Sequence, residues 1–174
     1  MTRSTVCALA VILLLGGCAA DEPGATGTAE ATQTPATTPP AAAPNPTSTF
    51  RHGTAIIETD DGAVMVEIEV ADRPELQAQG LMHRESLDED AGMVFLFFEE
   101  TDAGFWMKDT LIPLSIAFFD RDGNILKILD MEPCEADPCD TYSPGVSYSG
   151  ALEVNQGAFE EWGVEEGDVI RVSP

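Results

Sequence analysis

From Thr54 onward the chain alternates short apolar runs with turn-forming residues, and little of it repeats at the helical period. Thr54 to Thr59 reads as a strand and Asp60-Asp61-Gly62 as the turn that follows it. Val64, Val66, Ile68 and Val70 then alternate with Met65, Glu67 and Glu69, the period of a half-buried strand, so the two runs are expected to form a hairpin. Asp72 stands where an N-cap would, with Pro74 in the first turn, Glu75 at the capping-box position and Gly80 as a stop, which predicts a short helix over 73–79. Met93 to Phe98 is apolar without interruption and reads as a central strand. Phe105 to Met107 and Leu114 to Phe119 follow as strands separated by Pro113, and the Asp120 to Gly123 turn leads into Asn124 to Asp130 as a hairpin partner. Ala151 to Val154 and Val169 to Val172 close the series, with one or two helical turns at Ala158 to Trp162 between them. Seven or eight short strands with little helix predict a mainly β domain, a compact β-sandwich or a partly closed barrel with one or two short helices.

The first 49 residues follow another pattern. One positive charge, Arg3, precedes the apolar run Val6 to Leu15, which is too short for a bilayer-spanning helix of roughly 20 residues and fits a signal peptide over residues 1–17. Leu15-Gly16-Gly17-Cys18 resembles the lipobox of bacterial lipoproteins, which implies diacylglycerol on the Cys18 sulfur and a stable membrane anchor at the extracytoplasmic face. Residues 18–49 are rich in Ala, Thr and Pro and poor in large apolar side chains. They are expected to stay extended as a tether, with a composition that also suits a glycosylated stalk. The folded unit is then a single domain over residues 50–174.

Charge narrows the partners. Of 31 acidic residues only Asp21, Glu22 and Glu30 precede the domain, which therefore carries 28 carboxylates against seven Lys and Arg, a formal charge of −21. Such a field repels nucleic acid and anionic lipid, so no nucleic-acid role is expected and the acyl chains carry the membrane attachment. Cys7 leaves with the signal and Cys18 is acylated. Cys134 and Cys139, five apart in an exported loop, are left to pair as a disulfide.

Three segments together carry a family resemblance: Gly80-Leu81-Met82-His83-Arg84; Gly92-Met93-Val94-Phe95 through Phe105-Trp106-Met107-Lys108-Asp109-Thr110-Leu111-Ile112-Pro113-Leu114; and Leu152-Glu153-Val154-Asn155-Gln156-Gly157 with Gly167-Asp168. The chain resembles the bacterial and archaeal domain-of-unknown-function family 192 over essentially all of residues 54–173. The resemblance implies a compact, mainly β, jelly-roll-like fold, often exported, without an established activity. Two positions depart from it: the family usually has Asn where this chain has Asp109, and Asp where it has Ser115. Any catalytic role built on a carboxylate at the second position is absent here.

The chemistry available is limited. On a continuous strand Trp106, Lys108 and Thr110 share one face, and Trp106 beside Lys108 makes an aromatic platform with a cationic donor, suited to an anionic or sugar-like ligand. The competing reading puts Trp106 in the core and pairs Lys108 with a carboxylate. Arg84 either clamps a ligand carboxylate or fixes its own loop by pairing with Glu85, Asp88 or Glu89. His52 and His83 lack partners at ligand spacing, so neither a metal site nor a cofactor is expected. Asp120-Arg121-Asp122-Gly123-Asn124 has Gly two positions too early for an EF-hand and reads as a turn. Asp109, Asp120 and Glu153 are the carboxylates a glycosidase mechanism would use. The loop from Pro133 to Pro144, stapled by its disulfide and carrying Tyr142, is expected to wall a cleft against the strand of Trp106 and Lys108. The leading expectation is a non-catalytic envelope module that binds a small molecule, glycan or protein through Arg84, Trp106, Lys108 and Tyr142. The alternatives are a carbohydrate-directed hydrolase and an assembly protein.

Overall fold

A computed structural model describes residues 49–173. The expected signal peptide, Cys18 and the expected tether before Thr49 lie outside the described residues. The domain is mainly β, with two short helices, as the strand pattern predicts.

Strands β1 (Arg51–Thr59) and β2 (Gly62–Ala71) form the expected hairpin, with Thr59 opposite Gly62 across the tight turn. Helix α1 (Pro74–Gln79) then carries the chain to β3 (Ala91–Thr101), which pairs parallel to β2. Strand β4 (Phe105–Trp106) is short, β5 (Leu114–Phe119) and β6 (Ile125–Met131) form the second hairpin, and β7 (Thr141–Tyr142) pairs with β4 as a two-stranded ribbon. Strand β8 (Tyr148–Asn155), helix α2 (Ala158–Glu161) and β9 (Val169–Ser173) complete the chain. Seven strands make one mixed sheet in the order β6-β5-β8-β3-β2-β1-β9. The uninterrupted apolar run becomes β3, the central strand.

Burial explains why the strands differ in pattern. Alternate residues of β1 and β2, Ala55, Ile57, Val66, Ile68 and Val70, enter one core together with Val94, Leu152 and Val154 of the central strands and Phe159 of α2. The opposite face of β3, β5 and β8 has its own core, in which Met93, Phe95, Ile116, Phe118 and Ala151 are covered by Leu76, Leu81 and Met107. Strands covered on both faces lose the alternation and read as continuous apolar runs. Phe105 meets Phe95 edge-on at 4.9 Å, and Phe118 meets Tyr148 at 4.8 Å, so aromatic packing anchors the covering layer.

The sheet is not closed, but its two edges meet at one end. Asn124 bridges Val169, Ile125 N–H donates to the Asp168 carbonyl at 2.8 Å, and Ile170 N–H donates to the Gly123 carbonyl at 2.8 Å. Gly123 is required there, because its φ is 91° and a Cβ would fall 2.3 Å from the Ile170 carbonyl oxygen.

Asp72 does not cap α1. The position before Pro74 is Arg73, with extended backbone and no side-chain cap, while the Asp72 carboxylate is held by Arg51 at 2.6 Å and Arg73 at 3.7 Å. Charge pairing across the sheet edge outcompetes the local capping bond. Gly80 does end the helix, at φ 46°, its N–H donating to the Leu76 carbonyl.

Candidate functional site

The β4 segment does not continue as a strand through Thr110. It stops at Trp106, and Thr110 N–H turns back to the Met107 carbonyl at 3.2 Å, with Asp109 at φ 55° inside the turn. Strand alternation therefore fails beyond Met107. Trp106 is 55% exposed, Met107 is buried, Lys108 is half-buried and Thr110 is buried. Trp106 and Thr110 line one cavity and Lys108 lines another, so they do not share the face that a continuous strand would give them.

The turn at Asp109 is fastened to the loop after α1. His83, itself at φ 63°, donates its backbone N–H to the Asp109 carbonyl at 2.8 Å. A left-handed backbone is strained for most residues and is tolerated best by Asn and Asp, so both the family's Asn and this chain's Asp109 suit the position. The clasp holds Gly80, Leu81 and Met82 opposite Trp106 and Thr110.

Between those segments lies a cavity of about 30 Å³ lined by Gln77, Leu81, Phe95, Trp106, Thr110 and Glu153, among others. Glu153 sits mid-strand in β8, opposite Met93 of β3 and Ile116 of β5, so its side chain enters the apolar layer on that face. It is only 5% exposed and has neither a hydrogen-bond partner nor an ion-pair partner among the described residues. Burial pushes its carboxyl up to about 8, with no neighbouring charge contributing.

The other expected residues are tied down. Arg84 pairs with Glu69 of β2, not with the acidic residues of its own loop, and fixes that loop to the sheet beside a cavity of about 290 Å³. Lys108 pairs with Asp137 at 3.2 Å, which places it against the stapled loop, and the Cys134–Cys139 disulfide is formed. Tyr142 lies opposite Phe105 in the β4–β7 ribbon, and its hydroxyl accepts the Glu132 N–H at 3.1 Å. The cleft between this loop and Lys108 is present, at about 160 Å³, but it is lined without Trp106, which lines the cavity of Glu153 instead.

The three carboxylates of the hydrolytic alternative serve separate places. Asp120 is taken up by its own turn, accepting Asn124 Nδ2–H and the N–H groups of Asp122 and Asn124, which lower its pKa. Asp109 lines the Lys108 cleft, and Glu153 lies under Trp106. At the departure Ser115, the hydroxyl donates to Asp130, which stands directly opposite on β6, and accepts the Gly157 N–H at 2.9 Å. A carboxylate thus reaches this spot from the neighbouring strand, beside a cavity of about 340 Å³. Neither Asp130 nor Thr110 is among the ligand-contacting residues expected from the sequence. Thr110 was legible as part of the Trp106 motif, whereas Asp130 required the β5–β6 register.

Known proteins place the domain. The family profile described as "DUF192: Uncharacterized ACR, COG1430" matches residues 55–172. A Sinorhizobium meliloti 1021 protein, proposed as a transcription regulator, is similar at 28% identity and a TM-score of 0.67, over 72% of this chain and 96% of that one. A protein of unknown function from Novosphingobium aromaticivorans DSM 12444 is similar at 31% identity and a TM-score of 0.61, over 75% of this chain and 94% of that one. No curated protein matches the sequence. With the profile covering most of the chain and the fold shared by both structures, this chain belongs to the DUF192 family.

Proposed function

We propose that this chain is a lipid-anchored module of the cell envelope that binds a ligand without transforming it, and that the ligand contacts the cavity beneath Trp106. The observation that carries the reading is the combination there of an exposed indole, a buried hydroxyl and a buried, unpartnered carboxyl, joined by a backbone clasp. Large aromatic area with a few convergent polar groups is the usual composition of a binding site. A mechanism with two carboxylates gains no support from the arrangement, since Asp120 is already engaged in its turn. The lipobox-like Cys18 supports the address and would confine the ligand to the envelope.

The test is a thermal-shift screen of the full chain against sugars, amines, amino-acid derivatives and peptidoglycan fragments, since a bound ligand raises apparent stability by mass action. A hit abolished by Trp106→Ala and retained by Lys108→Ala is the expected result. A hit that is consumed on incubation would replace binding by catalysis, and the absence of any hit would favour the assembly role.

A further inference from the structure

Glu153 presents an unusual balance of charge. A carboxyl held among apolar side chains normally has a hydrogen-bonded or cationic partner; this one has neither among the described residues, and its oxygens open into the cavity instead of being sealed in the core. The domain cannot supply the cation. Its seven Lys and Arg side chains are Arg51, Arg73, Arg84, Lys108, Arg121, Lys127 and Arg171, each already paired with a carboxylate other than Glu153, and neither His52 nor His83 lines the cavity. A formal domain charge of −21 draws small cations toward the surface and disfavours anions.

The cavity itself sets the size of the guest. At about 30 Å³ it admits a group of water-molecule size, since roughly 10–15 Å³ suffices for one water. Trp106, Phe105 and Phe95 all line it, and aromatic rings are the side chains that attract cations over their faces. Thr110 adds a buried hydroxyl on the same wall. We infer that the cavity is a receptor for the primary ammonium group of a ligand, with Glu153 as its counter-ion and the alkyl stem lying against Trp106. The inference rests on the binding reading above and names the ligand's charged end.

Protonation gives it a distinctive signature. Among the described residues no other titratable group lines the cavity of Glu153: Met93 and Ile116 flank it on β3 and β5, and the wall, which includes Gln77, Gln79, Phe95, Trp106 and Thr110, carries no second ionisable side chain. Unliganded, the carboxyl is held neutral by burial, with its pKa raised to about 8. An arriving ammonium takes the carboxylate form, so binding expels one proton to solvent.

The experiment is titration calorimetry of the full chain with n-butylammonium and, as the neutral isostere, n-butanol, in buffers of differing ionisation enthalpy. Expected is amine affinity rising about tenfold per pH unit from about pH 5.5 to about pH 7.5, close to one proton released, and at least about a tenfold loss in Glu153→Gln. Glu153→Gln keeps the shape of the side chain, and Trp106→Ala tests the site without touching the carboxyl. If n-butanol binds as well as the amine at this site, or affinity falls as pH rises, the ammonium assignment is overturned while the binding module stands. If neither probe binds, the ammonium assignment falls, and the thermal-shift screen separately decides the binding reading.

Discussion

Glu153→Gln exchanges an ionisable group for a neutral one of nearly the same shape inside an apolar layer, so its effect on stability is set by protonation. The Glu153 carboxyl is raised from its ordinary 4.5 to about 8 by burial alone. In the unfolded chain it loses its proton near the lower value, whereas in the folded chain it keeps it until the higher one. The folded state therefore binds more protons throughout that window, and stability is fully present below about pH 4.5 and declines as pH rises toward about pH 8. Each pH unit costs about 1.4 kcal/mol, which amounts to about 3 kcal/mol at pH 7 and about 5 kcal/mol once the folded-state value is passed. Urea denaturation followed by circular dichroism from about pH 5 to about pH 9 reads this directly, because the remaining carboxylates are common to both proteins and cancel in the difference. The variant should match the parent near pH 5 and exceed it in stability by about 3 kcal/mol at pH 7. A difference that stays flat with pH would show that Glu153 is ionised in the folded protein, and the argument for a buried neutral carboxyl would collapse.

Three further outcomes follow from the packing. Asp109→Asn, the family's usual residue, should leave the midpoint of thermal unfolding nearly unchanged, whereas Asp109→Val should cost about 1–3 kcal/mol, because a β-branched residue resists φ near 55°. Phe118→Ala empties a fully buried ring site between Phe105 and Tyr148 and should cost about 3–5 kcal/mol by urea denaturation, and a loss below about 1 kcal/mol would mean the layer collapses to fill it. Gly123→Ala forces a Cβ onto the Ile170 carbonyl, so hydrogen exchange at the Ile125 and Ile170 amides should accelerate well before exchange in β3 and β8.

How far the sequence reveals this protein depends on what covers each strand. The β1–β2 hairpin was legible because one face of each strand is apolar, and β3 because both faces are. Strand β4 was legible too, but its ribbon partner β7 was not, since two residues carry no period and the Thr141–Tyr142 pairing depends on a long connection. Glu153 illustrates the limit for the site. Between Leu152 and Val154 it resembles the outward residue of a half-buried strand, and only the layer contributed by α1 and the Trp106 turn converts that outward position into an inward one. The Asp72 cap failed for a similar reason, because Arg51, 21 residues away, claims the carboxylate.

The meeting of the two sheet edges has a consequence for self-association. An open β-edge is a template on which a second chain can add a strand, the first step toward cross-β aggregation. Here the beginning of β6 is occupied by the 166–168 segment, with Glu166 bonding Lys127, and the beginning of β9 by the 122–123 turn, with Arg171 donating to the Asp122 carbonyl at 3.1 Å. Copies held side by side by their lipid anchors, the address proposed above, would reach high local concentration. With the starts of both edge strands capped from within the same chain, and with like charge on every copy, a neighbour could not add a strand along the full length of either edge.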